Sequence, residues 1–218
     1  MVYVISDIHG RKDRFDDIIE QIALTEQDTL YVLGDVIDRN PDGITLLRYI
    51  MQQPNVKMLL GNHEYMMRNA LGSQEHIRVW YRNGGDITHK LWKKQRLSTR
   101  ESILKYLYAL PLTVELNVDG KRYRLVHGYS PDENTLASTA LQTLTHDIVW
   151  KRVQSTDQGP QDRTVIFGHT PTFFYQDCKP IQIWYGRHLI GIDCGAAYAQ
   201  GRLACLRLDD LKEFYSRC

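Results

Sequence analysis

Hydrophobic and polar positions follow one another in blocks along this chain, and five short apolar blocks share the same kind of ending. The blocks are Val2–Ser6, Thr29–Gly34, Val56–Gly61, Tyr123–Val126 and Val165–Gly168. Each holds four to six residues rich in Val, Ile, Leu or Tyr and is bounded by glycine or polar residues, which is typical of buried β-strands. Each is followed at once by Asp, Asn or His. We therefore predict five buried strands with metal-binding side chains at their C-terminal ends.

The stretches between the first three blocks have the periodicity of helices. Phe15, Ile18 and Ile22 lie three and four residues apart and would share one helix face. On this pattern we predict helices near 12–24 and 42–52 and a third that opens near residue 64. The resulting order β-α-β-α-β implies a parallel sheet with right-handed crossovers.

Residues 72–110 differ in composition and pattern: aromatic residues occur among frequent Arg and Lys, and no strand pattern is present. Ser98 followed by Glu101 has the spacing of a capping box, which predicts a helix that runs to about Ala109. We expect this stretch to form a small helical cap beside the site.

The remainder of the chain returns to strand patterns. Segments Leu112–Val118 and Lys121–Val126 flank an Asp-Gly pair, which favours a β-hairpin. We further predict a short helix near 135–144 and strands near 165–167, 189–192 and 202–208, and we leave 172–187 unassigned. No linker or repeat divides the chain, so we expect one α/β domain over residues 1–218.

Composition narrows the classes of function. The net charge of +1 gives no broad electrostatic reason to expect nucleic-acid or membrane partners. The four cysteines include no C-x-x-C pair, so neither a zinc site nor a redox dithiol is indicated. Cys194 and Cys205 lie in apolar runs and are expected to be buried thiols. With no signal-like or membrane-spanning segment in the sequence, we expect a cytoplasmic protein.

The strand endings suggest a shared metal site, because the carboxyl ends of strands in open α/β sheets gather at one edge. Asp7 and His9 are two residues apart, so in an extended segment they point the same way. Asp supplies a hard oxygen and His a nitrogen, a mixture that suits Mn, Fe, Zn or Ni better than Ca.

Each ending also has a simpler interpretation when taken alone. Asp35 could be an ordinary turn or cap residue. Asn62 and Glu64 could mark a helix start. A single His after a strand, such as His127 or His169, is more often structural than a ligand. The joint occurrence at five separate strand ends favours one metal site.

The ordered motifs resemble those of the calcineurin-like metallophosphoesterase superfamily, over residues 5 to about 195. The motifs are Asp7-Ile8-His9-Gly10, Gly34-Asp35-Val36-Ile37-Asp38-Arg39, Gly61-Asn62-His63-Glu64, His127 and Gly168-His169. Within the superfamily, Asp38-Arg39 and the Asn-His-Glu ending are similar to phosphoprotein phosphatases of the bacterial and phage type.

The resemblance implies a two-sheet β-sandwich flanked by helices, with two divalent metal ions. By position, the first metal would be held by Asp7, His9 and Asp35, and the second by Asp35, Asn62, His127 and His169. Mn²⁺ is the expected ion, with Fe, Zn or Ni as alternatives.

The resemblance also implies the reaction. His63 matches the general acid and Asp38 its orienting carboxylate, while Arg39 and Arg152 match phosphate-binding arginines, with Asn62 also beside the substrate. We expect hydrolysis of phosphomonoesters by a metal-bridging hydroxide, with phosphorylated Ser/Thr proteins or small phosphoesters as substrates.

One departure from the family pattern bears on the substrate. Leu60 stands where these phosphatases usually have an arginine, so one phosphate-binding charge is missing. A diadenosine tetraphosphatase-like nucleotide hydrolase is therefore the alternative, although the Asn-His-Glu ending favours the protein phosphatase. The sequence leaves the oligomeric state open.

Overall fold

A computed structural model describes residues 1–217, which form ten strands and eight helices. The strands are β1 (Val2–Ile5), β2 (Thr29–Val32), β3 (Val56–Met58), β4 (Thr113–Val118), β5 (Lys121–Val126), β6 (Thr164–Phe167), β7 (Trp184–Gly186), β8 (Leu189–Gly191), β9 (Ala204–Arg207) and β10 (Glu213–Tyr215). The helices are α1 (Lys12–Ile22), α2 (Gly43–Ile50), α3 (Asn62–Ala70), α4 (Gln74–Arg82), α5 (Asp86–Lys93), α6 (Leu97–Ala109), α7 (Glu133–Ser138) and α8 (Leu141–Trp150).

The first sheet has the strand order β10-β9-β1-β2-β3. Strands β1, β2 and β3 are parallel, and α1 and α2 connect them. The predicted β-α-β-α-β unit is therefore confirmed. β9 and β10 extend the sheet in antiparallel fashion. β10 was not predicted, because its three residues form no apolar run.

The second sheet has the order β4-β5-β6-β8-β7. β4 and β5 form the predicted hairpin, with Val118 opposite Lys121 across the Asp-Gly turn. β5, β6 and β8 are parallel, so their carboxyl ends lie at one edge.

The two sheets pack face to face around a shared apolar layer. The first contributes Val4, Tyr31, Leu33, Leu59 and Leu206, and the second contributes Leu125, Ile166 and Ile190. A larger cluster joins the first sheet to its helices and to the cap. The predicted sandwich flanked by helices is confirmed, and the sandwich brings the carboxyl ends of the two parallel strand sets together.

The cap contains three helices, α4, α5 and α6, and so confirms the helical assignment of 72–110. The predicted capping box is wrong. Helix α6 begins at Leu97 after Arg96, without a side-chain cap hydrogen bond. Ser98 lies inside the first turn, where its carbonyl accepts a hydrogen bond from Ser102 Oγ at 2.9 Å.

Two other predicted segments differ from the structure. The helix predicted near 135–144 is two helices, because Thr139 and Ala140 adopt extended ψ angles of 136° and 139°. The unassigned segment 172–187 holds a 3-10 turn at Thr172–Phe174 and strand β7. Over the described part of the chain, no helix has the length and apolar character needed to span a bilayer.

Candidate active site

The predicted ligands come together between the carboxyl ends of the two sheets. From the first sheet come residues after β1, after β2 and at the start of α3, and from the second come residues directly after β5 and β6. All six are at most 8% exposed. They are Asp7, His9, Asp35, Asn62, His127 and His169.

The Asp35 carboxylate lies at the centre of this cluster. Its Oδ2 is 3.7 Å from His9 Nε2, 3.5 Å from His127 Nε2 and 3.8 Å from His63 Nε2. His127 Nε2 is also 2.8 Å from Asn62 Oδ1. Ligands that share one ion at bonds of about 2.1 Å are roughly 3 to 4 Å apart, so these spacings fit metal coordination.

Two overlapping groups of ligand atoms each lie within 4.8 Å of one another: His9, Asp35 and His63, and Asp35, His127 and His169. Asp35 belongs to both, which is the position of a bridging ligand. His63, expected as the acid, is therefore within ligand distance of the first group. Asp7 belongs to neither group, although its Oδ1 is 4.0 Å from His9 Nε2.

The electrostatics of the cluster also suit cations. Burial lowers the pKa of His9 and His127, and lowers that of His169 to about 2. These imidazoles are therefore neutral, which is the metal-binding form. Burial, and then the nearby Asp7 and Glu64 carboxylates, raise the pKa of Asp35. This is a buried acidic centre that divalent cations would stabilise.

Tight turns at the strand ends aim these side chains. Asp7, His9, Asp35 and His169 have φ angles of 55°, 48°, 54° and 63°, which reverse the chain directly after a strand. The turn after β2 is held by Glu64, whose carboxylate accepts hydrogen bonds from Asp35 N at 2.8 Å and Val36 N at 2.9 Å. In the sequence, Glu64 is interpreted as a residue that complements the helix dipole. In the structure it is a buried side chain that holds the turn carrying Asp35.

Glycines allow the close approach of the segments. A Cβ at Gly61 would overlap Asp35 Oδ1, and one at Gly168 would overlap Ser6 Oγ and Asp7 Oδ2. Asp7 Oδ2 already accepts hydrogen bonds from Ser6 Oγ at 2.5 Å and His169 N at 2.9 Å. The backbone of Gly168, which follows β6 of the second sheet, therefore lies directly against Ser6 and Asp7, which follow β1 of the first sheet.

His63 and Asp38 form the expected pair. His63 Nδ1 lies 2.6 Å from Asp38 Oδ2, and both side chains are buried. Burial raises the pKa of Asp38 to about 7, and burial followed by the charge of Arg39 lowers the pKa of His63. The contact at Nδ1 orients the imidazole so that Nε2 faces the cavity.

A cavity of about 140 Å³ opens onto the cluster and is lined by both predicted phosphate-binding residues, Arg39 and Arg152. Arg39 Nη2 lies 3.3 Å from His63 Nε2. Leu60 is fully buried in the apolar core that joins the first sheet to its helices and to the cap. No third arginine lines this cavity among the described residues.

Sequence reasoning missed several residues that shape the site. Asp193 lines the cavity, and its Oδ1 accepts a hydrogen bond from Gly195 N at 2.8 Å. It follows the apolar run 189–192, so the rule applied to the other five strands would have found it. Trp80 and Asn83 of the cap also reach the site, and no local pattern pointed to them.

Comparison with known proteins agrees with this geometry. Residues 1–198 match the family model described as calcineurin-like phosphoesterase. The chain is 27% identical over 176 residues to serine/threonine-protein phosphatase 2 of Escherichia coli strain K12, across 77% of this chain and 78% of that protein. It is 39% identical over 64 residues to the symmetrical bis(5'-nucleosyl)-tetraphosphatase of Serratia proteamaculans, across 28% and 23% of the two chains.

A solved structure has the same fold. The cold-active protein-tyrosine phosphatase of a psychrophilic Shewanella species superposes with a TM-score of 0.63 at 15% identity, covering 99% of this chain and 80% of that one. The family match spans most of the chain and includes every strand end that carries a candidate ligand. The chain belongs to the calcineurin-like phosphoesterase family.

Proposed function

We propose that this protein is a metal-dependent phosphomonoesterase that acts on phosphorylated Ser/Thr proteins. The observation that carries the proposal is the position of Asp35, shared by two groups of ligand atoms beneath a cavity that Arg39 and Arg152 line. Phosphate ester hydrolysis needs a nucleophile, anion-binding groups and an acid within one pocket. Candidate anion-binding groups, a candidate acid and candidate ligands for the ions that would supply the nucleophile all line this cavity.

The family is metal-dependent, and the donor set fits two divalent ions, with Mn²⁺ as the expected metal. The ligands would be Asp7, His9, Asp35, Asn62, His127 and His169. Bound there, the ions would lower the pKa of a water and so supply hydroxide as the nucleophile near neutral pH.

The chain's own residues would complete the reaction. Arg39 and Arg152 donate hydrogen bonds to the phosphate oxygens and favour the charge that spreads over them in the transition state. Arg39 Nη2 lies beside His63 Nε2, and a bound phosphate would draw the guanidinium away and leave Nε2 free to carry a proton. His63 then donates a proton from Nε2 to the leaving oxygen while Asp38 fixes the ring.

The surroundings of the pocket favour a polypeptide substrate. A cleft of about 830 Å³ shares Trp150 with the catalytic cavity and is lined by residues including Tyr65, Arg68, Tyr108 and Leu141. Tyr108 and Leu141 are largely exposed. Aromatic side chains with Arg are enriched at protein-binding surfaces, so the cleft suits residues that flank a phosphorylated side chain.

A nucleotide hydrolase of the diadenosine tetraphosphatase type is the second candidate. Leu60 favours it, because the pocket lacks the third arginine expected of a protein phosphatase. The tetraphosphatase similarity covers 28% of this chain, whereas the protein phosphatase similarity covers 77%. The longer match and the cleft favour the phosphoprotein.

The decisive experiment compares two substrates with one Mn²⁺-loaded enzyme preparation. We expect release of phosphate from a phosphoserine peptide with a higher kcat/KM than cleavage of diadenosine tetraphosphate, and loss of both activities on chelation. Asp35→Asn should abolish turnover together with metal binding. The opposite substrate ranking would replace the proposal by the nucleotide hydrolase, and activity that survives exhaustive chelation would reject both.

We also propose that the protein is cytoplasmic. Cys178, Cys194 and Cys205 are free thiols, and reduced cysteines are usual in reducing compartments.

A further inference from the structure

The helical cap reaches the catalytic pair through one buried tryptophan. Trp80 of α4 is fully buried, and its Nε1 donates a hydrogen bond to Asp38 Oδ2 at 2.7 Å. His63 Nδ1 contacts the same oxygen at 2.6 Å. The other oxygen, Asp38 Oδ1, is buried and has no partner among the described residues. The indole N–H and the imidazole therefore fix the rotation of this carboxylate between them.

The backbone that carries Asp38 is held by the cap as well. Asp38 N donates to Thr88 Oγ1 at 2.9 Å, and Arg39 N donates to Gly84 O at 3.0 Å. Asp38 and Arg39 have φ angles of 72° and 67°. Two successive side-chain-bearing residues in the left-handed region persist only when their surroundings hold them, and here the cap supplies that support.

Trp80 itself has little freedom to move. A Cβ at Gly85 would overlap the Cδ1 and Nε1 atoms of the indole, so the Gly85 backbone lies directly against the ring. The ring of His89 packs on it with centroids 5.4 Å apart. A donor fixed in this way does not need to be ordered again at each turnover, which is what preorganisation of a catalytic group requires.

From these contacts we propose that Trp80 is a positioning residue for the reaction: its indole N–H holds the Asp38 carboxylate so that His63 presents Nε2 to the leaving oxygen. The inference rests on the acid role proposed for His63. It makes the cap at 72–110 a functional part of the active site.

The step that Trp80 would support is proton transfer to the departing group. As the hydroxide oxygen bonds to phosphorus, the bond from phosphorus to the leaving oxygen breaks and its electron pair stays on that oxygen. The leaving oxygen then takes a proton from His63 Nε2, and the imidazole regains one from solvent water before the next turnover. Misalignment of the ring should matter most for an alcohol such as serine, which leaves poorly without a proton, and least for p-nitrophenolate.

The test is the dependence of rate on the leaving group. Trp80→Phe keeps an aromatic ring and removes the N–H. We expect kcat on a phosphoserine peptide to fall about tenfold or more, the size of one lost hydrogen bond to a charged group. The loss on p-nitrophenyl phosphate should be much smaller, so that the rates of a series of aryl phosphates depend more steeply on leaving-group pKa. Metal content should stay the same.

Trp92→Phe is the matched control. Trp92 is a buried residue of α5 in the same cap and belongs to its apolar core. This substitution should lower stability without changing the leaving-group dependence. Should Trp80→Phe not fold, Thr88→Val removes the acceptor of the Asp38 N–H and should steepen the dependence in the same way.

A double-mutant cycle separates positioning from a general structural role. If Trp80 acts through His63, then adding Trp80→Phe to His63→Asn should cost no further activity. Additive losses, or equal losses on all leaving groups, would overturn the proposal for Trp80. If His63→Asn itself leaves the leaving-group dependence unchanged, the acid assignment fails first and the role of Trp80 falls with it.

Discussion

At the scale of single residues, the site is built from backbone conformations that most side chains avoid. Ten non-glycine residues have positive φ angles in the described chain, and six of them belong to the site. Those six are Asp7, His9, Asp35, Asp38, Arg39 and His169. Each left-handed residue costs about 1 to 2 kcal/mol, so the chain gives up stability to aim these side chains into one cavity.

Glu64 gives a prediction at this scale, because it braces the turn that carries Asp35. Burial raises its pKa from 4.5 to about 7. The folded protein therefore binds this proton more tightly than the unfolded chain, and the resulting stabilisation is present below about pH 4.5 and lost as pH rises through about 7. The quantity to compare is the free energy of unfolding of the metal-free wild type minus that of metal-free Glu64→Gln. This difference should fall by up to about 3 kcal/mol between pH 5 and pH 8.

Chemical denaturation of both proteins across this pH range is the measurement. The Gln variant keeps the shape of the side chain and cannot titrate, so the comparison cancels the contribution of groups that do not interact with Glu64. A difference that does not change with pH would show that Glu64 titrates normally despite its burial.

At the scale of elements, apolar blocks identified the strands well, because burial on both faces leaves a continuous hydrophobic run. Elements that form only through tertiary contacts were not predicted from the sequence. β10 is a half-buried strand at the sheet edge, and the break between α7 and α8 contains neither Gly nor Pro. The clustering of the six candidate ligands was predictable from strand endings, whereas the position of Trp80 was not, since its partner Asp38 is 42 residues away.

Helix α1 offers a stabilising substitution. It ends at Ala23, which has φ 46° and ψ 51° and whose N–H donates to Glu20 O. Glycine is preferred at such left-handed caps because it has no Cβ. Ala23→Gly should therefore raise stability by about 1 kcal/mol, or roughly 2 to 4 °C in Tm, with activity unchanged.

The matched control is Ala109→Gly, at the exposed alanine that ends α6. There the backbone is helical, and glycine should lower stability by up to about 1 kcal/mol. Thermal unfolding of the two variants should thus shift in opposite directions. Destabilisation by both would mean that the left-handed cap at Ala23 is not strained.

At the scale of the whole molecule, the cavity at the candidate metal cluster and the neighbouring cleft share the lining residue Trp150. No carboxylate lines the cleft among the described residues. Arg68 lies between the rings of Tyr65 and Tyr108, at 5.1 Å and 5.4 Å from their centroids. A partly buried guanidinium among aromatic rings favours a substrate segment with an acidic side chain.

The prediction is that Arg68 sets a preference for acidic residues next to the phosphoserine. Arg68→Ala should lower kcat/KM on an acidic phosphopeptide about tenfold, and leave turnover of p-nitrophenyl phosphate and of a neutral phosphopeptide nearly unchanged. Arg48→Ala, at an exposed arginine of α2, is the control. Equal losses on all three substrates would assign Arg68 a structural role in the helices instead.

The division of the candidate ligands between the two sheets has a consequence for how the enzyme would mature. Asp7, His9, Asp35 and Asn62 are made early in synthesis, but His127 and His169 come from the later part of the chain. A nascent polypeptide shorter than about 170 residues lacks His169 and therefore cannot complete the second ligand set, although the three candidate ligands of the first ion are already present. Binding of the second ion should therefore be a late event that stabilises the docked sheets, and its uptake would report completed folding.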